Sequence, residues 1–220
     1  MTPFLTVLVF LVVGWFAAGT IWNVRKGSAA MRWMQGGLPL LGERTTVRWL
    51  GTTSVELGIE QAKAPFAQVA VVVFLEPRDV PWLWALARQS GRRDTLIIRA
   101  KLRHAPDADL EAVDGQSWSG RDALRQLGSE NWSERKAGKP GATSLLVKRG
   151  GDEGRMEELL GVARGAGMEV RRLSIRRSPN HLLLHVDLPA LTTDAAAFGV
   201  KPPPAESRLR SASLHAAGRP

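Results

Sequence analysis

The first apolar run of the chain extends from Phe4 to Trp22 (FLTVLVFLVVGWFAAGTIW) without a single charged residue. A helix rises about 1.5 Å per residue, so about twenty apolar residues cross the hydrocarbon core of a bilayer, which is roughly 30 Å thick. The pattern predicts a transmembrane anchor over residues 1–24. A secretory signal peptide is the alternative, because Ala17 and Gly19 form a cleavage-like pair. The apolar run continues past this pair and no Lys or Arg precedes it, which favours an uncleaved anchor.

The charges that follow the run predict its orientation. Arg25, Lys26 and Arg32 come before the first acidic residue, Glu43. Lys and Arg beside a membrane span are retained on the cytoplasmic side. We therefore expect a single-pass protein of the cell membrane, with its N-terminus outside and its C-terminal domain in the cytoplasm.

A basic juxtamembrane segment is predicted over residues 25–44. Within it, residues 24–36 are expected to continue as a short interfacial helix that ends at Gly36 and Gly37, since apolar bulk beside basic residues suits the headgroup layer. The residues predicted to contact the membrane interface are Trp22, Arg25, Lys26, Arg32 and Trp33. The alternative is that Trp33 and Met34 pack on the soluble domain.

Strand patterns begin after this segment. Val55, Leu57 and Ile59 alternate with polar residues, which predicts a half-buried strand in a hairpin that turns at Gly51 and Thr52. Further strands are predicted over 67–75, where both faces are apolar, and over 94–102, 144–148, 168–176 and 181–188.

Helical patterns separate these strands. Pro81 fits the first turn of a helix that ends near Gln89, with Trp82, Leu83 and Leu86 expected to face the sheet. Two further helices are predicted at about 120–128, capped by Ser119, and at 153–165. The stretches 103–118 and 129–142 are expected to be loops.

These elements predict an α+β or α/β domain over residues 45–188, with a mixed β-sheet and about three to four helices. The order strand–helix–strand occurs twice, around the helices near 81–89 and 153–165, and parallel strands with a right-handed crossover are expected in each βαβ unit. An internal duplication and two independent units both stay open. Residues 189–220 are rich in Pro, Ala and Arg and poor in bulky apolar groups, which predicts a disordered tail.

The composition of the chain excludes several kinds of site and indicates which partners to expect. The chain has no Cys, which excludes disulfides, thiolate zinc sites and thiol catalysis and agrees with a reducing compartment. The formal net charge of +9 favours acidic partners. For a tethered domain the expected partner is the lipid bilayer, with anionic lipid or an acidic protein as the specific contact. Nucleic acid is disfavoured, because neither an RNA-binding strand motif nor a helix-turn-helix pattern is evident.

Four groups of residues come near to a catalytic or binding motif. His181, His185 and Asp187 share one face of a strand, but four residues along a strand span about 13 Å, too far for two His to hold one metal ion. Ser117 lies in a near match to the G-x-S-x-G nucleophile elbow, and a helix cap explains it better. The other two groups are Gly150, Gly151 and Gly154 at a strand–helix turn, and the acidic residues Glu56, Glu60, Glu76 and Asp79.

None of these groups is assigned a catalytic, cofactor-binding or metal-binding role. The sequence therefore favours a membrane-anchored interaction module whose basic domain works at the membrane surface. The alternative is a membrane-tethered enzyme, a hydrolase or a phosphate-binding protein, with a site assembled from dispersed residues such as His185, Asp187 and nearby arginines.

Overall fold

One long helix and a nine-stranded sheet make up the fold in the computed structural model, which describes residues 2–107, 109–127, 132–136, 144–148, 153–165 and 167–189. The helices are α1 (Thr2–Gln35), α2 (Leu38–Leu41), α3 (Pro81–Gln89), α4 (Trp118–Leu127) and α5 (Glu153–Gly165). The strands are β1 (Gly42–Trp49), β2 (Ser54–Ala62), β3 (Phe66–Phe74), β4 (Thr95–Leu102), β5 (Asp109–Val113), β6 (Ser133–Lys136), β7 (Ser144–Lys148), β8 (Val170–Arg176) and β9 (His181–Asp187). The α+β class predicted from the sequence is confirmed.

The strands follow the order β1-β2-β3-β4-β9-β8-β5-β7-β6 across the sheet. Every pairing among the described strands is antiparallel, so the expectation of a mixed sheet was wrong. The strands of the first strand–helix–strand unit, β3 and β4, are antiparallel neighbours. In the second unit, β7 and β8 run in the same direction but are separated by β5, to which both are antiparallel.

Helix length explains why the first unit has no parallel crossover. The nine residues of α3 extend about 13 Å, whereas the nine residues of β3 extend about 30 Å. Helix α3 is therefore too short to return the chain along the sheet to the starting edge. It lies instead at the end of the sheet where β3 finishes and β4 begins, and the chain reverses direction there.

Three rows of apolar side chains cross one face of the sheet, because directly paired residues project to the same side. The first row holds Val55, Val73, Leu96, Val186 and Val170. The next two rows hold Leu57, Val71, Ile98, Leu184, Leu173 and Ala112, and Ile59, Val69, Ala100, Leu182, Ile175 and Leu110. We call this side the apolar face; it carries most of the buried core.

Helices cover both faces of the sheet unequally. The C-terminal half of α1 and the helix α5 contribute Ala30, Met31, Met156 and Leu160 to the core on the apolar face. On the opposite face, α4 packs against β5 and β8 and places Ala123 beside Val113.

Most helices and strands lie where the local sequence pattern predicts them. The hairpin turns at Gly51, whose φ of +111° is favourable only for glycine, and α3 ends before Gly91 at φ +80°. Two strands were missed: β5 within the expected loop 103–118 and β6 within 129–142. In β5 the charged residue Glu111 is fully buried, so the sequence lacks the run of apolar residues that marks a buried strand. Strand β6 (SERK) contains no apolar residue at all.

The prediction that the outer residues of α3 face the sheet was wrong. Trp82, Leu83 and Leu86 are 64 %, 46 % and 63 % exposed, and Ala87 is the residue that α3 buries.

The predicted boundary near residue 24 falls in the middle of α1, which continues without interruption to Gln35. The expected helix end at Gly36 and Gly37 is confirmed. The domain limits 45–188 stay a prediction, and the predicted tail lies, from residue 190 onward, outside the described residues.

Neighbouring leucines on α5 test the packing against the apolar face. Leu160 is 3 % exposed, whereas Leu159 is 38 % exposed. We expect Leu160→Ala to lower the free energy of unfolding by about 2–5 kcal/mol and Leu159→Ala by about 0.5 kcal/mol, because only the first leaves a cavity. Chemical denaturation of the full chain in detergent micelles, followed by circular dichroism, measures both. Equal losses for the two variants would contradict this packing.

Candidate functional site

The most distinctive arrangement in the described structure is the junction between the apolar helix α1 and the sheet. Helix α1 meets the loop after β3 near Gly19, passes the ring of Trp49 at Gly27 and ends at Gln35, near the start of β1 at the opposite end of the sheet. Its second half therefore lies along the apolar face, while the residues up to Gly14 project beyond the sheet. We call the end of the sheet near Gly19 the proximal end.

Small residues bring α1 unusually close to the domain. A Cβ atom on Gly19 would lie 2.5 Å from Cα of Asp79 and closer still to the carbonyl oxygen of Arg78. A Cβ atom on Gly27 would lie 2.6 Å from the ring of Trp49. With Ala30, which is fully buried, these glycines form a stripe of small residues that only a closely packed helix requires.

Asp94 is the centre of a buried polar network at this junction. Arg78 donates two hydrogen bonds to its carboxylate, at 3.0 and 2.8 Å, and Lys26 of α1 donates a third. The backbone N–H of Glu76 donates to the same carboxylate at 2.7 Å. The Asp94 side chain is 6 % exposed, so its negative charge is balanced by protein donors rather than by solvent.

The same network fixes the rotation of α1. Asn23 is fully buried; its side-chain N–H donates to the backbone carbonyl of Glu76 at 3.1 Å, and its oxygen accepts from Arg78 at 3.2 Å. Trp84 of α3 donates to the Glu76 carboxylate at 2.6 Å, which connects α3 to the junction. Turning α1 about its axis would break the bonds of both Asn23 and Lys26.

Electrostatics at Asp94 favour the charged form. Burial by itself would raise the pKa of Asp94, but the hydrogen bonds from Arg78, Lys26 and the backbone N–H of Glu76, together with the charge of Lys26, hold that pKa below its ordinary value. Removing one partner of a buried ion pair costs about 3–5 kcal/mol, because the remaining charge stays desolvated. The network therefore stabilises the attachment of α1 as long as all its members are present.

Two further contacts surround the network at the proximal end. The indole N–H of Trp15 donates to the backbone carbonyl of Arg78 at 2.9 Å, so contact with the domain begins within the predicted membrane span. Thr52, in the turn between β1 and β2, donates to the carboxylate of Asp79 at 2.9 Å. The hairpin turn, the loop after β3 and α1 thus meet at one end of the sheet.

The predicted membrane-interface residues divide into two groups. Trp22, Arg25, Arg32 and Trp33 are exposed on α1, and their contact with lipid stays a prediction. Lys26 differs, because its partner in the structure is Asp94 rather than solvent. The alternative prediction for Met34 agrees with the structure, since Met34 packs against the core, whereas Trp33 is 41 % exposed.

Ion pairs neutralise a cluster of three arginines on β8. Arg171 bonds Asp187 at 2.6 Å, Asp114 at 2.7 Å and Glu169 at 2.7 Å. Arg172 lies 2.5 Å from the fully buried Glu111, and Arg176 lies 3.4 Å from the same carboxylate. Hydrogen bonds from the Arg171 guanidinium to Asp187, opposed by burial, raise the pKa of Arg171 further above its ordinary value.

A second cluster remains at the surface. Arg88, Arg92 and Arg93 are exposed at the C-terminal end of α3. The Arg92 guanidinium stacks over the ring of Trp118 at 4.5 Å from its centre.

His185 and Asp187, the centre of the alternative enzymatic hypothesis, do not form a shared site. Asp187 accepts two hydrogen bonds from Arg171, at 2.9 and 2.6 Å. His185 of β9 lies directly opposite Arg172 of β8, and burial, together with the charges of Arg172 and Arg99, lowers the pKa of His185 to about 4. Among the described residues, no group of three or more His, Asp or Glu side chains is placed to hold a metal ion.

Ser117 caps α4. Its hydroxyl donates to the carbonyl of Asp114 at 2.8 Å and accepts from the N–H of Gly120 at 2.9 Å, three residues ahead. The predicted cap at Ser119 was therefore displaced by two residues. The structure supports the helix-cap interpretation of the near match to the nucleophile elbow, because the Ser117 hydroxyl both donates and accepts a hydrogen bond within the cap.

The remaining groups of the sequence analysis are dispersed. Glu56 pairs with Arg48 at 3.0 Å on the polar side of β2, whereas Glu76 belongs to the Asp94 network. Of the three glycines at the strand–helix turn, Gly150 and Gly151 lie outside the described residues.

The junction itself was missed by sequence reasoning. Its signal is the spacing of Gly19, Asn23, Gly27 and Ala30, three or four residues apart on one helical face. A glycine and an asparagine inside or beside an apolar span are unfavourable facing lipid, so this spacing indicates a protein contact.

No protein-family model matches the chain, and no curated protein matches its sequence.

Two glycines of α1 test the close approach. We expect Gly19→Ala to lower the free energy of unfolding by about 1–3 kcal/mol, because the new methyl group displaces α1 from residues 78 and 79. Gly14→Ala is the matched control, since a Cβ atom there has nothing within 4 Å. The control is expected to be neutral or stabilising by up to about 1 kcal/mol through helix propensity. Denaturation midpoints in detergent micelles measure both, and shifts of equal sign and size would argue against the contact.

His185 predicts a pH dependence of stability. Because the pKa of His185 is lowered to about 4 in the folded state, the unfolded chain binds one more proton between about pH 4 and pH 6.5. The contribution is complete above pH 6.5 and is lost as the pH falls towards 4, with a size on the order of 3 kcal/mol. In denaturation series over this range, wild type should lose more stability than His185→Gln as pH falls. Parallel profiles would show that His185 does not titrate as described.

Proposed function

We propose that the protein is a single-pass, membrane-anchored interaction module, with the domain on the cytoplasmic side. In this proposal α1 crosses the bilayer and the sheet domain is held at the membrane surface for binding rather than for catalysis. Membrane lipid, and in particular anionic lipid, is the proposed partner, with an acidic protein as the alternative partner.

The continuity of α1 carries the proposal. The helix is long and apolar enough to cross a membrane, and only 6 % of its most apolar 18-residue stretch is buried in the protein. A core helix of a soluble protein would instead be mostly buried. The same helix continues without a break onto the apolar face, where Asn23 and Lys26 fix it.

A rigid connection has a functional consequence that a flexible linker lacks. A flexible tether lets a domain rotate freely, whereas a helix that is packed along the sheet fixes which end and which face of the domain meet the membrane. Such an arrangement suits a protein that presents a defined surface to lipid or to a neighbouring protein.

The alternative enzymatic function has less support from the geometry. Asp187 is engaged by Arg171, and the Ser117 hydroxyl is engaged in capping α4. The described cavities are shallow surface clefts: one is lined by Gln35, Leu38 and Lys63, and the other by the side chains of the Asp94 network.

Arginine substitutions within the apolar run test the anchor. Leu8 and Leu11 are 45 % and 66 % exposed on α1, and a charged residue at the centre of a bilayer costs about 2.5–3.5 kcal/mol. We expect wild type to remain in membranes after carbonate extraction and Leu8→Arg/Leu11→Arg to be released. Leu40→Arg, at a 54 % exposed leucine of α2, is the control and should stay in membranes. A reporter fused after Pro220 should be active in the cytoplasm.

Three results would contradict the proposal. Wild type could be released by carbonate, mass spectrometry could show a mature chain without the first helix, or the reporter could be active outside the cell. A hydrolase and phosphatase panel separates the enzymatic alternative: a reproducible activity that is lost in His185→Ala would favour the enzyme.

A further inference from the structure

We infer that α3 is a second membrane-contacting element, whose outer face of Trp82, Leu83 and Leu86 inserts into the same leaflet of the bilayer that α1 crosses. The inference rests on the proposed membrane anchor and names the surface and the partner that the anchor alone leaves open. The occupant of this face is lipid, not another protein.

The depth of the proximal end relative to the membrane span gives the first argument. The exposed stretch of α1 that precedes the contact at Trp15, from Pro3 to Gly14, extends about 18 Å, which is less than the roughly 30 Å of a hydrocarbon core. The complete apolar run to Trp22 is needed to cross. Tilting the helix would only increase the length required.

The domain therefore reaches into the level of the span. Trp15 and Gly19 already contact residues 78 and 79, and these positions precede the end of the apolar run at Trp22 by about 10 Å and 5 Å of helix. Interfacial helices are typically buried about 5–10 Å into the boundary between headgroups and acyl chains. Helix α3 begins at Pro81, two residues beyond this contact, so it starts at the depth of an interfacial helix.

The surface of α3 has the chemistry that this depth requires. Three large apolar side chains on one short helix are exposed, an arrangement that marks an interaction surface on a soluble domain. The described helix α3 carries one charged residue, Arg88, which lies at its C-terminal end beside the exposed Arg92 and Arg93. An apolar face followed by basic residues matches acyl chains followed by anionic headgroups.

The charges beneath α3 are shielded from lipid. Glu76 and Asp94 are 4 % and 6 % exposed and pair with Arg78, which is itself 16 % exposed at its side chain. Trp84, on the inner side of α3, donates to Glu76 and closes the network from the membrane side. A protein end that enters the headgroup region without this pairing would bring unbalanced acidic groups into a region of low dielectric.

Because the chain has no native Cys, single cysteines report the position of each surface in full-length protein. We would introduce Leu86→Cys on α3, Leu11→Cys on α1 and Leu40→Cys on α2, label each with an environment-sensitive fluorophore, and reconstitute the proteins in vesicles of phosphatidylcholine and phosphatidylglycerol. All three leucines are exposed, and Leu40 lies at the opposite end of the sheet from α3. Lipids that carry a quencher at a shallow or at a deep acyl-chain position supply the readout.

We expect the label at position 11 to show blue-shifted emission and stronger quenching by the deep quencher, and the label at position 86 to show blue-shifted emission and stronger quenching by the shallow quencher. The label at position 40 should show neither effect. If position 11 is quenched while position 86 resembles position 40, the anchor stands and α3 does not contact lipid. A blue shift at position 86 without quenching would mean that protein covers α3, which also overturns the inference. If neither quencher affects position 11, the proposed anchor itself fails.

Discussion

The close packing of α1 on the sheet is the constraint on which the rest of the structure depends. Gly19 and Gly27 have no side chain that would hold the helix away from the domain. The Asp94 network supplies the polar contacts between the helix and the domain. Dispersion contacts need close surfaces, and buried ion pairs need complete partners, so the two features depend on each other. Separating the helix from the sheet would expose apolar core and leave Asp94 with fewer donors.

This packing joins the predicted anchor to the domain as one rigid element. Helix α1 forms one wall of the core on the apolar face, through Ala30 and Met34, so the segment that follows the apolar run also belongs to the folded domain. In the proposed function, the orientation of the sheet at the bilayer is therefore built into the fold. The proximal end, with α3 and the turn at Thr52, is then the part of the domain nearest to lipid.

The positive charges of this protein differ in whether acidic side chains neutralise them. The formal charge of +9 is not spread evenly over the surface, since Arg171, Arg172 and Arg176 are engaged by acidic groups between neighbouring strands. Arg92 and Arg93 are exposed beside the apolar face of α3, as is Arg88, which also lies 3.6 Å from the Glu76 carboxylate. Proximity to apolar surface makes these residues the better candidates for contact with anionic lipid.

The sequence by itself determined the local elements. An uncharged run long enough to cross a bilayer, alternating residues in β2, and proline and glycine at the ends of α3 are periodic or punctuating signals that neighbouring residues supply. Tertiary structure decided the antiparallel strand order, the outward face of α3, the burial of Glu111 and the partner of Lys26. Each of these depends on residues far apart in the chain: Lys26 meets Asp94, and Glu111 meets Arg172. Sequence periodicity records which side of an element differs from the other, whereas only the packing of distant elements determines what each side touches.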